Sequence, residues 1–402
     1  MKKPPLRVLI YLSYAFEKVS GELRSVIYML ENLDQGRFES IVVVPFYIDS
    51  LNSNTVDGVS VSVIEPPLSL RKYGGILLKS NLHERLRAIL DLFQHTRRMV
   101  RFIRSQRIDV VYCCSLRAVI MVGMAARLAG VPVLFLVNGR LNNAVLDTFA
   151  FTIAGRIVFQ CRANLEDRYP LLRKLFRRKL VVVDSGIDLD VIRHLQLHPP
   201  VPIALGVDPG NINIIVLGLL NPEKGVHHLF DALSMLKARL NRVQLWVVGD
   251  QITEDFNNYR ARLENHAIEI GLGDVIRFTG WRTDAIQLLS VMDVLVHPSL
   301  SEGMPRAVLE AMALGKAVVA TRVGCCREII RDGENGLLVN PGDVPQLAEA
   351  LGRLLEDGEL RRALGMAAAA TIANNHNIVV KTRDLENIIA MLAGTQAMAS
   401  SK

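Results

Sequence analysis

The feature that most limits the possible folds of this chain is a regular alternation of short, apolar, β-branched runs with longer amphipathic stretches. In the first half this alternation predicts a doubly wound α/β domain with a parallel sheet. Ligands of such sheets lie at the carboxyl ends of the strands. The predicted strands are Leu6–Leu12, Ser40–Pro45, Val59–Ile64, Ile108–Tyr112, Val131–Val137, Arg156–Gln160 and Leu180–Val183, and the helices between them include Gly21–Leu33, Asn81–Ser105 and Leu116–Ala129.

The second half repeats the alternation after an interval rich in proline, which is typical of a linker. A chain of 402 residues is also too long for a single core and favours two domains of roughly 200 residues each. The expected divisions are a first domain over 1–190, a linker over 191–211, a second domain over 212–375, and a final helix over 376–402 that returns to the first domain. The predicted strands of the second domain are Ile212–Gly218, Val243–Val248, Val275–Thr279, Met292–His297, Lys316–Thr321 and Gly336–Val339.

The composition is that of an ordinary globular protein, with 50% hydrophobic and 22% charged residues. No window reaches the ~18 uninterrupted apolar residues of a membrane span, and the short apolar run after Lys3 fits a first strand better than a signal peptide. The five cysteines form two adjacent pairs and one single residue, which predicts neither a disulfide framework nor a metal site. We therefore expect a protein of the reducing cytoplasm.

Positive charge is concentrated in the first half. Residues 1–190 contain 27 Lys and Arg against 17 Asp and Glu, whereas the remainder contains 20 against 23. Much of the excess lies between Arg71 and Arg107, where arginines alternate with large apolar residues. Such a helix can lie on an anionic membrane, which predicts peripheral association with the inner face of the cell membrane. The simpler alternative is an amphipathic helix packed on its sheet, and nucleic acid is disfavoured because no recognition motif accompanies the charge.

The stretch from Met292 to Thr321 contains the strongest candidate site. Its pattern predicts a buried strand, a turn-rich loop, a helix from Arg306 onward, and another strand. Pro305 suits the first helical position, because its φ is fixed and it lacks an N–H that the helix could not pair. The backbone amides of Gly303, Met304 and Arg306 would then point out of the helix N-terminus, where an anion such as a diphosphate is favoured.

Two carboxylates flank this helix start, Glu302 in the loop and Glu310 eight positions later. Eight residues are a little over two helical turns, so both side chains can face one pocket. There they could accept hydrogen bonds from sugar hydroxyls. For each residue alone the simpler alternative is a helix cap at Glu302 and a solvated side chain at Glu310, but the pair with Gly and Pro between them favours a binding site.

The letters S-E-G-M-P-R-A-V-L-E-A-M-A-L-G-K-A-V-V-A-T, which end at Thr321, resemble the E-x7-E signature of the retaining, nucleotide-sugar-dependent glycosyltransferases of family 4, also called group 1. This resemblance implies the GT-B architecture, in which two Rossmann-like domains face a cleft. It also implies a nucleotide sugar as donor substrate, no metal or other cofactor, and a saccharide or lipid-linked acceptor attacked with retention of configuration.

A second resemblance covers the letters from Gly218 to Gly225, which are similar to the family pattern G-R-L-x-x-x-K-G. It implies that Gly218 lines the donor site and that Lys224 is a mobile positive charge for the diphosphate. Leu219 stands where the family has an arginine, so one phosphate ligand is missing, which should weaken donor binding or shift that role to Arg306 or Arg140. The simpler alternative is that Lys224 is a solvated lysine in a first helical turn.

Other strand ends resemble the family in part. Gly249 follows a strand, where a residue without a side chain lets the backbone approach a ligand. Gly280 lies in a stretch similar to the family's F-x-G near the nucleotide base, and Gly21 keeps one glycine of its Gly-Gly loop. Asn138 and Cys114 stand where the family often has histidines; Asn138 can bond a sugar hydroxyl but cannot titrate near neutral pH.

These features together predict a retaining glycosyltransferase of polysaccharide or glycolipid biosynthesis. Two alternatives are a catalytically weakened binding subunit, which the changes at Leu219, Asn138 and Cys114 would explain, and a nucleotide-sugar epimerase of the same fold. A nicotinamide dehydrogenase is disfavoured, since no G-x-G-x-x-G follows the first strand. The expected catalytic residues are Glu302, Asn138 and Lys224, and the expected donor-binding residues are Glu310, Gly303, Met304, Pro305, Arg306, Gly218, Gly249, Gly21 and Gly280.

Overall fold

The computed structural model describes residues 4–13, 21–46, 58–70, 81–137, 143–166, 170–251 and 258–400, without the side chains of 21, 22 and 395–400. The chain divides into two compact units. The first unit consists of residues 1–184 together with 379–402, and the second of residues 185–378. The last helix, Ile378–Ser400, therefore returns the chain to the unit in which it began.

The first unit is built on strands β1 (Leu6–Tyr11), β2 (Phe38–Val44), β3 (Val59–Val63), β4 (Val110–Cys113), β5 (Val133–Val137), β6 (Arg156–Phe159) and β7 (Leu180–Val182). Within the described residues they form one parallel sheet in the order β3-β2-β1-β4-β5-β6-β7. The chain runs outward from β1 to β3 and returns with β4 on the other side of β1. The strand order therefore reverses between β1 and β4, where sheets of this type open a crevice.

Helices cover both faces of this sheet. On one face Met99 and Ile103 pack with strand residues such as Leu9, and on the other face Leu385 and Ile389 of the last helix pack with residues such as Val8. Strands buried on both faces are continuously apolar, which explains why they are visible in the sequence. The helices are Gly21–Asn32, Leu82–Ser105, Leu116–Ala118 continued by a π-turn at Val119–Gly123 into Met124–Ala129, Ala144–Ile153, Arg162–Glu166, Pro170–Phe176 and Ile378–Ser400.

The second unit is built on strands β8 (Ile212–Leu217), β9 (Val243–Val248), β10 (Ile276–Gly280), β11 (Val294–His297), β12 (Ala317–Thr321) and β13 (Leu337–Val339). Within the described residues they form one parallel sheet in the order β10-β9-β8-β11-β12-β13. Here the strand order reverses between β8 and β11. The strands that the structure describes in both units all coincide with predicted runs, and the doubly wound parallel fold class is confirmed.

The core of the second unit lies between its sheet and the surrounding helices. Leu229, Phe230 and Leu351 are fully buried there against strand residues such as Leu245. The main α-helices of the unit are Leu189–Leu197, Val226–Met235, Tyr259–Glu269, Ala285–Ser290, Arg306–Ala313, Cys326–Ile329, Val344–Glu356 and Gly358–Asn375.

The segment expected as a linker, 191–211, differs from that expectation. Most of the helix Leu189–Leu197 lies in it, and Asp188 caps this helix by accepting from the amides of residues 190 and 191. Ile192 and Leu195 are buried, three positions apart on one helical face, and Val207 is buried as well. The prolines begin only after the helix has ended, so the segment folds as part of the second unit.

Candidate functional site

A largely buried ion pair joins the loops that follow β8 and β11, the two strands at the reversal of the second sheet. Nζ of Lys224 lies 2.5 Å from Oε1 of Glu302. The two residues are 78 positions apart in the chain, and they meet because β8 and β11 are neighbours. Doubly wound sheets bind ligands at this reversal, so the ion pair marks the expected ligand crevice.

The loop after β8 is fixed in front of the loop after β11. Oδ1 of Asn221 accepts a hydrogen bond from the Lys224 amide at 3.1 Å and so caps a short helical turn. Gly225 follows with a φ of +65°, and a Cβ at this position would lie 2.1 Å from the carbonyl oxygen of Pro298. Only glycine permits this backbone approach, which holds Lys224 beside Glu302.

Two further side chains contact the oxygen of Glu302 that Lys224 contacts. His297, the last residue of β11, has Nε2 at 2.9 Å from Oε1, and the hydroxyl of Ser299 donates to Oε1 at 2.8 Å. Ser299 is itself fixed, because the hydroxyl of Thr321 donates to its carbonyl oxygen at 2.5 Å. The carboxylate is therefore held by donors from two neighbouring strands and their loops.

The environment of Glu302 keeps its side chain ionised. Burial alone would raise the pKa of this carboxyl, but the charges of Lys224 and His297 and their hydrogen bonds outweigh burial and hold the pKa well below its usual range. An ionised carboxylate only accepts hydrogen bonds, whereas a lysine ammonium only donates them. The pair can thus offer an acceptor to hydroxyl groups and a cation to an oxyanion.

The loop between Glu302 and the following helix is supported from behind by the loop after β12. The amide of Cys325 donates to the carbonyl oxygen of Gly303 at 3.2 Å. Gly324 has a φ of +48°, and a Cβ there would lie 2.4 Å from the carbonyl oxygen of Glu302. A glycine is therefore required at position 324 to let Met304 and its neighbours turn into the helix in this way.

The helix Arg306–Ala313 begins one residue later than Pro305 was expected to begin it. Pro305 has a φ of −77° and a ψ of 94°, so it occupies the capping position before the helix rather than the first helical position. The difference is within the usual uncertainty of helix ends. Pro305 makes no side-chain capping hydrogen bond. The side-chain hydrogen bonds of Glu302 go instead to Lys224, His297 and Ser299, which contradicts the simpler alternative of a helix cap at Glu302.

Glu310 lies on the inner face of the same helix. Its exposed fraction is 3%, and Oε1 accepts from NH2 of Arg306 at 3.4 Å, one helical turn earlier. The simpler alternative of a solvated Glu310 is therefore wrong. The structure gives Glu302 and Glu310 different cationic partners, Lys224 and Arg306, so the two acids belong to adjacent ion pairs on one loop and helix.

Three predicted glycines lie at the carboxyl ends of neighbouring strands. Gly218 follows β8, Gly249 follows β9, and Gly280 ends β10. A Cβ on Gly249, whose φ is +132°, would lie only 1.8 Å from the carbonyl oxygen of Gly218. At Gly218, by contrast, the corresponding space is open within 4 Å. Gly218 thus presents bare backbone that a ligand can approach closely, whereas Gly249 makes room for the carbonyl oxygen of Gly218.

A narrow pocket, with room for about one water molecule, opens at the same strand ends. Its lining includes Gly218, Leu219, Lys224, His297 and Ser299. A lysine ammonium, a hydroxyl group, an imidazole ring and exposed backbone thus surround one space. This combination suits a ligand that carries both an anionic group and hydroxyl groups.

The remaining predicted site residues are placed as follows. Gly21 begins the helix Gly21–Asn32. Asn138 and Arg140 lie outside the described residues. The sequence analysis missed the contributions of Ser299 and Thr321 and the requirement for glycine at positions 225 and 324. The Asn-Pro dipeptide just before Lys224 did indicate the helix cap at Asn221.

None of the described helices combines the length and the hydropathy that crossing a membrane requires.

Residues 203–371, which contain the ion pairs and the strand-end glycines, match the family described as Glycosyl transferases group 1. A lipopolysaccharide core biosynthesis glycosyltransferase of Rhizobium meliloti, LpsE, is 34% identical over 159 residues, which are 40% of this chain and 44% of that protein. The UDP-Gal:alpha-D-GlcNAc-diphosphoundecaprenol alpha-1,3-galactosyltransferase of Escherichia coli is 26% identical over 310 residues, covering 72% of this chain and 77% of the relative.

Solved structures resemble almost the whole chain. HepE of Anabaena, crystallised in complex with UDP, has a TM-score of 0.74 at 20% identity and covers 96% of this chain and 100% of its own. A glycosyltransferase from Rickettsia africae has a TM-score of 0.77 at 18% identity, over 97% of this chain and 99% of its own. The predicted fold, two Rossmann-like parallel-sheet domains of the GT-B type, is confirmed.

Proposed function

We propose that the protein transfers a sugar from a nucleotide-sugar donor to an acceptor hydroxyl, with retention of configuration, because residues 203–371 match the group 1 glycosyl transferases within a chain of GT-B fold. The nucleotide sugar is the substrate, and the proposal includes no metal or other cofactor. The observation that carries it is the Lys224–Glu302 ion pair at the strand reversal of the second sheet.

The two members of this pair take different parts of the donor. As the bond between the sugar C1 and the diphosphate oxygen breaks, the electron pair stays on the leaving diphosphate, and Lys224 stabilises that negative charge. Stabilising the charge that develops in the transition state is usually the largest single contribution to such a reaction. Glu302, fixed by His297 and Ser299, accepts hydrogen bonds from the sugar hydroxyls and orients the ring.

The rest of the donor lies along the loop and the strand ends. The amides of Gly303 and Met304 face the diphosphate near the N-terminus of the helix from Arg306, where an anion is favoured. Glu310 accepts from the ribose hydroxyls, and Arg306 keeps that carboxylate in position. Gly218 lets the nucleotide approach the backbone. Gly249 and Gly280 stay predictions for donor binding. Gly21 and Asn138 remain predictions for the acceptor side of the donor.

We extend the proposal to a lipid-linked saccharide as the acceptor, in polysaccharide or glycolipid biosynthesis. Its support is the name of the Escherichia coli relative, which transfers galactose to a sugar on diphosphoundecaprenol, together with the LpsE relative of lipopolysaccharide core biosynthesis. A lipid-linked acceptor is held in a membrane, so the enzyme would work at the cytoplasmic membrane face.

The test uses the release of nucleoside diphosphate from a panel of UDP-, GDP- and ADP-hexoses, with the purified protein and no acceptor. Slow hydrolysis of one donor is expected, because water can replace the acceptor, and Glu302→Gln should abolish it. The matched control is Glu328→Gln, a substitution of an exposed glutamate on a neighbouring helix. If Glu302→Gln hydrolyses the donor as fast as the unchanged protein, the proposed site is wrong.

A catalytically weakened binding subunit is the second candidate, and Leu219 is the observation that favours it. This leucine lines the cavity beside Lys224, at the position where group 1 sequences were expected to carry an arginine. Under that hypothesis a donor would bind without being hydrolysed. An epimerase would instead release free epimerised donor in the same assay, so the product separates the three functions.

A further inference from the structure

A groove in the first unit is apolar along one half and basic along the other. It lies between the helices Leu82–Ser105 and Met124–Ala129, and its volume is about 850 Å³. Val100, Ile120 and Phe149 are among the half-buried residues that line it. None of these residues belongs to the donor site, so the groove requires an explanation of its own.

The rim of the groove exposes large apolar side chains. Ile89 is 63% exposed, Phe93 is 59% exposed and Leu128 is 58% exposed. Leu82, Leu86 and Leu90 are also exposed and continue the same stripe toward the start of the helix. Scattered exposed apolar residues are normal on a protein surface, but a continuous stripe with helical spacing indicates a surface that another apolar phase covers.

The same stripe becomes basic toward its end. Arg97, Arg101 and Arg104 follow Phe93 at intervals of three or four residues, so they lie on the same helical face and line the groove. The guanidinium of Arg97 lies over the Phe93 ring, 5.2 Å from its centroid, which is within the ~6 Å reach of a cation–π contact. NH2 of Arg104 donates to the carbonyl oxygen of Leu128 at 3.1 Å across the groove.

We infer that this groove is a docking surface for an anionic lipid bilayer. The apolar rim enters the boundary between headgroups and acyl chains, and the arginines bind lipid phosphates, because long basic side chains can keep their charge at the headgroup level while their stems lie in apolar surroundings. Anionic lipid complements the charge of all three arginines.

A second copy of the chain fits less well as the occupant. In a twofold interface the same patch meets itself, and the residues that line the groove include three arginines but no acid, so the arginines of both copies would be buried without an opposite charge. The inference identifies which face of the protein meets the membrane that the proposed acceptor would require. It depends on the first unit alone, so donor chemistry and membrane binding can fail separately.

The experiment is co-sedimentation of the full chain with vesicles of phosphatidylcholine alone and of phosphatidylcholine mixed with phosphatidylglycerol, in low and high salt. The unchanged protein is expected to sediment with the mixed vesicles and to be released in part by high salt. Arg97→Gln/Arg101→Gln should lower the partition coefficient about tenfold or more, since each basic residue near an anionic surface contributes on the order of fivefold. Ile89→Ser/Phe93→Ser should lower it by a similar factor in both salts.

The matched control is Arg173→Gln/Arg177→Gln. It removes the same charge from exposed positions in and just after the helix Pro170–Phe176, beside the exposed Leu171 and Leu175 but away from the groove lining. This variant should bind the mixed vesicles as well as the unchanged protein. The melting temperatures of all variants should agree, because the replaced side chains are exposed. If a variant melts at a lower temperature, Phe93→Trp is used in its place. The fluorescence of the introduced tryptophan should be quenched by brominated acyl chains when the groove contacts the bilayer.

Equal losses in the groove variants and the control would overturn the inference, as would equal binding to neutral vesicles or no binding at all. Loss of self-association in Ile89→Ser/Phe93→Ser, without vesicle binding by the unchanged protein, would assign the groove to a second copy instead. Hydrolysis of a soluble donor should stay unchanged in the groove variants, so a failure here leaves the proposed donor site standing.

Discussion

The two units share a strand order, and in each unit two side chains contact each other where that order reverses. The two contacts differ in charge. In the first unit the hydroxyls of Ser13 and Ser115, which follow β1 and β4, lie 2.8 Å apart and are neutral. In the second unit Lys224 and Glu302, which follow β8 and β11, form an ion pair. Both pairs are more than seventy residues apart in the chain.

This difference indicates a division of labour between two equivalent crevices. An ion pair costs desolvation when it is buried, so its presence at a ligand crevice favours a charged ligand such as a diphosphate over a purely structural role. A hydroxyl pair carries no net charge and suits neutral, hydroxyl-rich groups such as an acceptor saccharide. Substitutions at the two crevices can test this contrast directly.

The largest expected effect is on donor turnover. Glu302→Gln should slow it by about 100-fold or more, because a sugar ring that is no longer held in its reactive position reacts slower by about that factor. Ser115→Ala is the equivalent change in the first unit. It should leave the rate of donor hydrolysis in the absence of acceptor within about twofold of that of the unchanged protein, because the ion pair belongs to the second unit. Initial rates of nucleoside diphosphate release measure both. Equal losses would remove the contrast between the crevices.

The next effect is on stability. Lys224→Gln should lower the free energy of unfolding by about 3 kcal/mol, because it leaves Glu302 buried without its main cation. The double variant Lys224→Gln/Glu302→Gln should lose less than the sum of the two single variants, with a coupling of about 1 to 2 kcal/mol. Denaturant unfolding of the four proteins gives the coupling. Simple additivity would mean that the ion pair does not act as a unit.

The strand-end glycines allow a comparison within one crevice. Gly249→Ala should cost about 3 kcal/mol, since the added Cβ would meet the Gly218 carbonyl oxygen at 1.8 Å on a strained backbone. Gly218→Ala meets open space and should cost only about 1 kcal/mol of backbone strain. Thermal unfolding measures both. A larger loss for Gly218→Ala would contradict the described backbone approach.

The two crevices should also differ in their response to acid. Burial and Arg98 lower the pKa of His95, which contacts the Tyr11 hydroxyl at the end of β1, to about 4. As the pH falls, the unfolded chain therefore protonates His95 at a higher pH than the folded chain does. The stability that depends on a neutral His95 is present above about pH 6.5 and is lost as the pH falls toward 4. The pKa of Glu302 is depressed in the folded state, so its contribution to stability is lost only as the pH falls below about 4.3.

Hydrogen exchange of the two units as a function of pH can resolve these ranges. His95→Gln should remove the earlier loss from the first unit and leave the second unchanged. Protection of β1 and β4 that is lost over the same pH range with and without His95 would contradict the assignment.

The smallest expected effect concerns the hydroxyl pair. Ser13→Ala should cost about 1 kcal/mol, the usual net value of one hydrogen bond. Ser115→Ala should cost somewhat more, because the Ser115 hydroxyl also accepts from the amide of Ala118 at 3.2 Å and caps the following helix. Unfolding free energies of the two variants measure the order. A reversed order would show that the cap contributes little.

Most of the fold could be predicted from the sequence because the central strands of each sheet are buried on both faces. Such strands are continuous apolar runs with β-branched residues, and even the short β13 is visible in this way. The helix Leu189–Leu197 was missed because the prolines that follow it dominated the pattern of its surroundings. Its burial of Ile192 depends on the packing of the second unit, which local sequence does not contain.

The candidate site could be predicted only in part. Glu302 and Lys224 were found through motifs, but their pairing follows from the adjacency of β8 and β11, which is a property of the whole sheet. The same holds for Ser13 and Ser115, which no motif marks. Gly225 and Gly324 are required by backbone of distant loops, so their role is invisible until those loops are placed.

The central claim is that the ion pair after β8 and β11 binds a nucleotide sugar, and thermal unfolding with a panel of nucleoside diphosphate sugars tests it most directly. A ligand at a hundred times its dissociation constant stabilises the folded state by about 2.7 kcal/mol. We expect one donor to raise the melting temperature of the unchanged protein, and to raise that of Lys224→Gln much less. No shift with any donor, or an equal shift in Lys224→Gln, would contradict the account.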